Sequence, residues 1–206
     1  MSSGVTRFRL LGNDEHDFLF ACLKDWPVDK TGKFTMQRAL ATVDAAMREH
    51  MEIKPAPLSH EDDYFITFVI EETSGGNWPP IGITKAHIKN GKVFVSWLAF
   101  LPEMRGSGRF KESYLLWSHI TFVTLEADEL MFVTPVGNTP VESLFEKYTS
   151  TEGEVWVKGL DTDRPKRKWV HTRADHIADR DTAFTDKDGK EIIYEDEGIE
   201  RKPTPA

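Results

Sequence analysis

Between Val93 and Leu101 only Ser96 interrupts an apolar run. Such a run reads as a strand, and a strand so apolar is expected to be central and buried on both faces. It leads directly into Pro102-Glu103-Met104-Arg105-Gly106-Ser107-Gly108-Arg109 and then into a helix from about Phe110 to Glu126. A strand that stops at a glycine turn and opens a helix leaves backbone N–H groups without partners at the positive end of the helix dipole. A diphosphate can accept them. Glycine suits the turn because a Cβ would block the phosphate, and because glycine tolerates positive φ.

The rest of the chain supplies elements around that centre. Val5 to Leu11 alternates apolar with polar residues and reads as a strand. Asn13 or Asp14 is then placed to cap a helix whose positions Phe18, Leu19, Cys22 and Leu23 share a face, and Pro27 ends it. Thr35 caps a second helix, with Met36, Leu40, Val43 and Met47 at spacings of three and four, closed by Pro55 and Pro57. Tyr64 to Glu72 and Ile81 to Ile88 are strands joined through Ser74-Gly75-Gly76-Asn77, and Asn90-Gly91 signals a hairpin into the central strand. Downstream, Leu130 to Thr134 is a short strand, Pro140 to Tyr148 a helix, Glu154 to Lys158 a strand and Arg167 to Thr172 a last strand. From about Asp175 charged residues dominate, and Asp186 to Lys190 reads as a turn between weak strands. The expected organisation is one domain over residues 1–174 and a charged C-terminal extension over 175–206. An extension so polar cannot build a core alone and is expected to lie against a protein partner, or to be mobile in the isolated protein.

Bulk properties narrow the function classes. With a formal charge of −8, general nucleic-acid binding is not expected, since phosphate neutralisation needs clustered Lys and Arg. The basic stretch Arg164-Pro165-Lys166-Arg167-Lys168 is flanked by Asp161, Asp163 and Asp175 and reads as a solvated face. Cys22 is the one cysteine, which gives no intramolecular disulfide or thiolate cluster and suits a reduced, cytoplasmic setting. His171 and His176 have no acid at convincing ligand spacing, so no metal is expected. No apolar stretch is long enough for a membrane helix, and the first residues lack a signal-peptide pattern, so neither a membrane nor export is expected.

The order strand, helix, helix, three antiparallel strands, turn, helix, strand, helix, strand resembles that of the GNAT acetyltransferases. The stretch Val95 to Gly108 resembles the family's central strand and pyrophosphate turn, with Arg105 and Gly108 at the first two fixed positions. Asn138, followed seven residues later by Phe145-Glu146-Lys147, is similar to the family's Asn-to-Tyr-Glu-Lys helix. The two matches span roughly residues 5–158. The resemblance implies an α/β (α+β) acyl-CoA N-acyltransferase fold, with a mixed central sheet flanked by helices. It also implies acetyl-coenzyme A as substrate, its pantetheine arm between two strands that splay apart. The backbone of Leu98, Ala99 and Phe100 would line the arm, Arg105, Gly106, Ser107, Gly108, Arg109 and Phe110 would hold the diphosphate, and Asn138 would flank it.

The sequence departs from that pattern in three places. Phe110 stands where the family has Gly or Ala, and its ring either projects into the diphosphate site or turns into the core. Phe145 replaces the family's Tyr, which protonates the departing thiolate, leaving Tyr148 as the candidate acid. The central strand carries Ser96 and Trp97 where the family often has Glu, leaving His87 and Glu71 or Glu72 as candidate bases. Two functions remain open. One is an N-acetyltransferase acting on a small-molecule or protein amine, for which the acidic balance favours a cationic acceptor. The other is a catalytically degenerate GNAT-like module in a large assembly; such genes occur among phage genes, which makes a virion-associated structural protein one form of it.

Overall fold

The computed structural model describes residues 6–23, 36–49, 61–73, 76–148, 150–155 and 166–180. Pro27, Thr35, Pro55, Pro57, Ser74 to Gly75, residues 156–165 and residues 181–206 lie outside the described residues, as do the expectations placed on them.

The elements follow the expected order. They are β1 (Thr6–Leu10), α1 (His16–Leu23), α2 (Met36–Glu49), β2 (Asp63–Glu72), β3 (Pro80–Lys89), β4 (Lys92–Phe100), α3 (Arg109–His119), β5 (Glu129–Pro135), α4 (Thr139–Tyr148), β6 (Ser150–Val155), β7 (Lys166–Thr172) and α5 (Arg173–Arg180). The strands form one seven-stranded sheet in the order β1-β2-β3-β4-β5-β7-β6. Every neighbouring pair is antiparallel except β4 and β5, which run parallel. The β3–β4 hairpin turns at Asn90-Gly91, both at positive φ, as such a turn requires.

Helices cover both faces. On one, Tyr114, Leu115, Leu116 and Trp117 of α3 and Phe145 of α4 pack on Ile66, Phe68, Ile88, Val93, Val95, Leu130, Phe132 and Trp169. On the other, Leu19, Cys22 and Leu23 of α1 and Ala39, Val43 and Ala46 of α2 pack on Val69, Ile83 and Ala99.

Local details correct the sequence expectations. The inward face of α2 is Ala39, Val43 and Ala46, and Leu40 is exposed; small alanines allow the helix to approach its neighbours closely. Helix α1 is opened by Glu15, whose carbonyl accepts the Leu19 N–H at 2.9 Å, and not by Asn13 or Asp14. The Glu15 carboxylate is drawn to that position by the Gly12 N–H and by Arg9. The helix after the turn ends as an α-helix at His119 and continues as one π turn over Ile120–Thr124. Helix α5 was not expected and crosses residue 174; His176 stacks on Phe122. Among the described residues no helix is long and apolar enough to cross a membrane.

Candidate functional site

Strand β4 is central, as expected, but it is not buried on both faces. Val93, Val95, Ala99 and Phe100 are buried, Ser96 is exposed, and Trp97 and Leu98 are half-buried. The reason lies in its two edges. Toward β3 the register passes from Ala86↔Val95 to Lys85↔Trp97, so Ser96 is the extra residue of a β-bulge. Toward β5 the pairing runs from Lys92↔Glu129 to Val95↔Phe132 and stops there. Both strands continue, β4 to Phe100 and β5 to Pro135. Beyond the bulge the parallel neighbours no longer pair, and the gap this opens in the ladder is the candidate cleft.

The cleft ends on the glycine turn. Pro102–Met104 forms one 3-10 turn, then Gly106 and Gly108 take φ of 74° and 87° before α3 begins. Nothing lies within 4 Å of the place a Cβ would occupy on either glycine, so the turn is open above both. Within it, the Met104 N–H bonds Leu101 and the Arg105 N–H bonds Pro102. Among the described residues, the N–H groups of Gly106, Ser107, Gly108, Arg109 and Phe110 have no backbone acceptor outside the helix. Successive free N–H groups at a helix N-terminus make an anion-binding concavity.

Side chains fix this turn from outside. Arg105 points inward: its Nε donates to the Phe100 carbonyl at 3.1 Å and its Nη2 to the Cys22 carbonyl at 3.2 Å, clamping the turn to β4 and α1. Arg109 grips Glu72 at the end of β2 through Nε, at 2.9 Å, and Nη2. The Ser107 hydroxyl donates to the Met104 carbonyl at 2.5 Å. Phe110 turns into the core, against Phe145 and beside Phe100 and Ile70. Its ring does not cover the glycines, which resolves the alternative left open by the sequence.

Asn138 sits at the matching end of β5. Its carbonyl accepts the Val141 and Glu142 N–H groups that open α4, and its Nδ2 donates to Thr134 Oγ1 at 3.2 Å. Leu98 to Phe100, Arg105 to Phe110 and Asn138 thus gather at one end of the sheet, on the two strands that part.

Of the expected catalytic residues, Glu71, Glu72 and His87 do not join them. Both Glu71 oxygens are engaged on the far side of β3, by Arg7 Nε at 2.8 Å and Arg9 Nε at 2.7 Å. Glu72 is committed to Arg109. His87 pairs across the sheet with Phe94 and contacts Asp63 at 2.5 Å. It therefore lies six strand residues from Phe100, or roughly 20 Å. Phe145 is 1 % exposed in an aromatic wall and has no hydroxyl. Tyr148 is the last residue of α4, and its side chain lies outside what is described. Among the described residues no group of three or more His, Cys, Asp or Glu side chains is placed to hold a metal.

Comparison with known proteins locates the fold. No protein-family model and no curated protein matches the chain by sequence. Solved structures do match. A chimera of the Vibrio cholerae spermidine N-acetyltransferase SpeG and hSSAT superposes with a TM-score of 0.61 at 12 % identity, covering 84 % of this chain and 98 % of that one. Mutant forms of the spermidine/spermine N-acetyltransferase SpeG from Vibrio cholerae give a TM-score of 0.60 at 12 % identity, covering 85 % and 98 %. A dodecameric spermidine N-acetyltransferase from Vibrio cholerae gives 0.57 at 11 % identity, covering 84 % and 96 %. The chain has the GNAT acyl-CoA N-acyltransferase fold.

Proposed function

We propose that this chain binds acetyl-coenzyme A in the cleft between β4 and β5 and transfers the acetyl group to an amine. The observation that carries the reading is the open glycine turn at the end of a cleft between parallel strands. The unpaired N–H groups of Gly106 to Phe110 suit a diphosphate, and the cleft-facing backbone of β4 suits an extended arm that carries amides. When bound, acetyl-coenzyme A supplies an activated thioester carbonyl. The amine nitrogen forms the new bond to that carbonyl, the C–S bond breaks, and the thiol leaves with the proton the amine gives up. The acidic balance of −8 and the similarity to spermidine acetyltransferases favour a cationic acceptor such as a polyamine.

One observation favours a second reading, in which the module binds acyl-coenzyme A without efficient turnover or serves as a structural part of an assembly. Phe145 has no proton to give, and Glu71, Glu72 and His87 are committed elsewhere.

Binding and turnover separate the readings. A ligand at 100 times its Kd stabilises the native state by about 2.7 kcal/mol, which for a chain of this size raises Tm by roughly 5–10 °C. Millimolar acetyl-coenzyme A is expected to produce that shift, and release of free thiol in the presence of spermidine is expected to follow. A shift without thiol release favours the module without turnover. No shift at any ligand concentration excludes the acyl-coenzyme A site.

A further inference from the structure

We propose that Thr84 is a positioning residue that decides which peptide groups of β4 face the cleft; the inference rests on the acyl-coenzyme A reading above. Trp117 Nε1 donates to Thr84 Oγ1 at 2.9 Å, and Thr84 Oγ1 donates to the Trp97 carbonyl at 3.1 Å. Both side chains are fully buried. The Thr84 hydroxyl accepts one of these bonds and donates the other through a single atom. The indole that starts the chain is fixed by its neighbours, with the Phe8 ring 5.6 Å and the Phe68 ring 5.4 Å away, both edge-on.

The chain ends one residue past the bulge at Ser96, on the first pair of the shifted register, Lys85↔Trp97. Peptide groups of successive strand residues point to opposite edges. Holding the Trp97 carbonyl toward β3 therefore sends the peptide groups of Leu98 and Phe100 toward β5. The Leu101 N–H obeys the same parity, since it donates to Ile81 on the β3 side at 3.0 Å. Of the groups turned to the cleft, the Phe100 carbonyl is already taken by Arg105. What remains for an arm carrying amides is the Leu98 N–H and carbonyl and the Phe100 N–H. A slip of the bulge by one residue would exchange these for groups of Trp97 and Ala99.

This role differs from support of the core, because it concerns the arm of the ligand and not its diphosphate end. The test compares two ligands on the whole protein by calorimetry: acetyl-coenzyme A, and ADP 3′-phosphate, which has the diphosphate but no arm. Thr84→Val keeps the side-chain shape and removes the hydroxyl. It is expected to weaken acetyl-coenzyme A binding by about tenfold, a 1.4 kcal/mol change, and ADP 3′-phosphate binding by less than about twofold. Thr84→Ser is expected to restore the first. Should Thr84→Val not fold, Trp117→Phe removes the indole donor, keeps an aromatic ring there, and is expected to show the same selective loss at about threefold. Equal weakening of both ligands, or no weakening of either, overturns the proposal while the site stands. Failure of the unaltered protein to bind acetyl-coenzyme A overturns the site and the proposal together.

Discussion

The Phe110 ring stands edge-on to the Phe145 ring, with centroids 5.8 Å apart and planes 66° apart. These are two of the positions at which the sequence departs from the GNAT pattern, and in the folded chain they are one contact. The Phe110 ring does not obstruct the turn, because it leaves the glycines and closes on Phe145, which has no hydroxyl. Phe145 is enclosed on its other sides by Phe132 at 4.8 Å, Trp169 at 5.4 Å and Tyr114 at 5.7 Å. A hydroxyl is out of place in that wall. The two departures thus meet in one packing contact and leave the glycine turn open.

Restoring the hydroxyl tests this relationship. Phe145→Tyr buries an oxygen among rings and is expected to cost about 1–3 kcal/mol in a urea melt. Thiol release from acetyl-coenzyme A is expected not to rise. A faster variant of unchanged stability would mean that position 145 reaches the cleft after all.

The grip of Arg109 on Glu72 ties the first turn of α3 to the end of β2. Glu72→Gln keeps the shape and removes the charge, and a hydrogen bond to a charged group contributes about 1.5–3 kcal/mol. Stability is expected to fall by that amount, and acetyl-coenzyme A affinity with it, because the N–H groups of the turn lose their fixed direction. Unchanged affinity in a destabilised variant would show that the turn holds its form without this pair.

Much of the architecture was legible in local pattern. Alternation located β1, apolar segments located β2 to β5, apolar spacing of three to four located α1 and α2, and Asn90-Gly91 marked its hairpin. Other features depend on partners distant in sequence. Nothing near Ser96 announces a bulge, since its register is set by β3 and by where β5 lets go. The apolar run therefore reads as buried throughout, although Trp97 and Leu98 are only half-buried. The commitment of Glu71 to Arg7 and Arg9 depends on β1 pairing with β2. Helix α5 had a local signal that composition hid: Thr172-Arg173-Ala174-Asp175 is a capping box. The Thr172 N–H bonds Asp175 Oδ2 at 2.8 Å and the Asp175 N–H bonds Thr172 Oγ1 at 3.2 Å.

Gly82 is required by close approach. A Cβ there would lie 2.7 Å from both the Ala99 carbonyl oxygen and Phe100 Cδ1. One of these atoms is backbone of the strand that borders the cleft. Gly82→Ala is expected to cost about 1–3 kcal/mol by overpacking, read as a lowered Tm, and to weaken acetyl-coenzyme A binding as β4 shifts. A stable variant with reduced binding would still fit, whereas full stability and full binding would show that β4 yields at no consequence.

Cys22 gives a pH dependence of definite sign. Its thiol is pushed up to about 12 from the usual 9.0 by burial, an effect that the nearby Arg105 charge only partly offsets. In the unfolded chain the thiol ionises near its usual value, so between pH 9 and 12 the unfolded state has released a proton that the native state keeps. Stability therefore has its full value below pH 9 and falls as pH rises, by at most about 1.4 kcal/mol per pH unit from this one group. Other side chains titrate in the same range, and Cys22→Ala separates them: its stability is expected to fall less steeply than that of the unaltered protein between pH 9 and 11. At pH 8 the thiolate fraction is about one in ten thousand, so a disulfide-forming reagent is expected to label Cys22 only after unfolding. Parallel pH profiles for the two proteins, or rapid labelling of the native state, would place the thiol in contact with water and loosen the α1 packing described above.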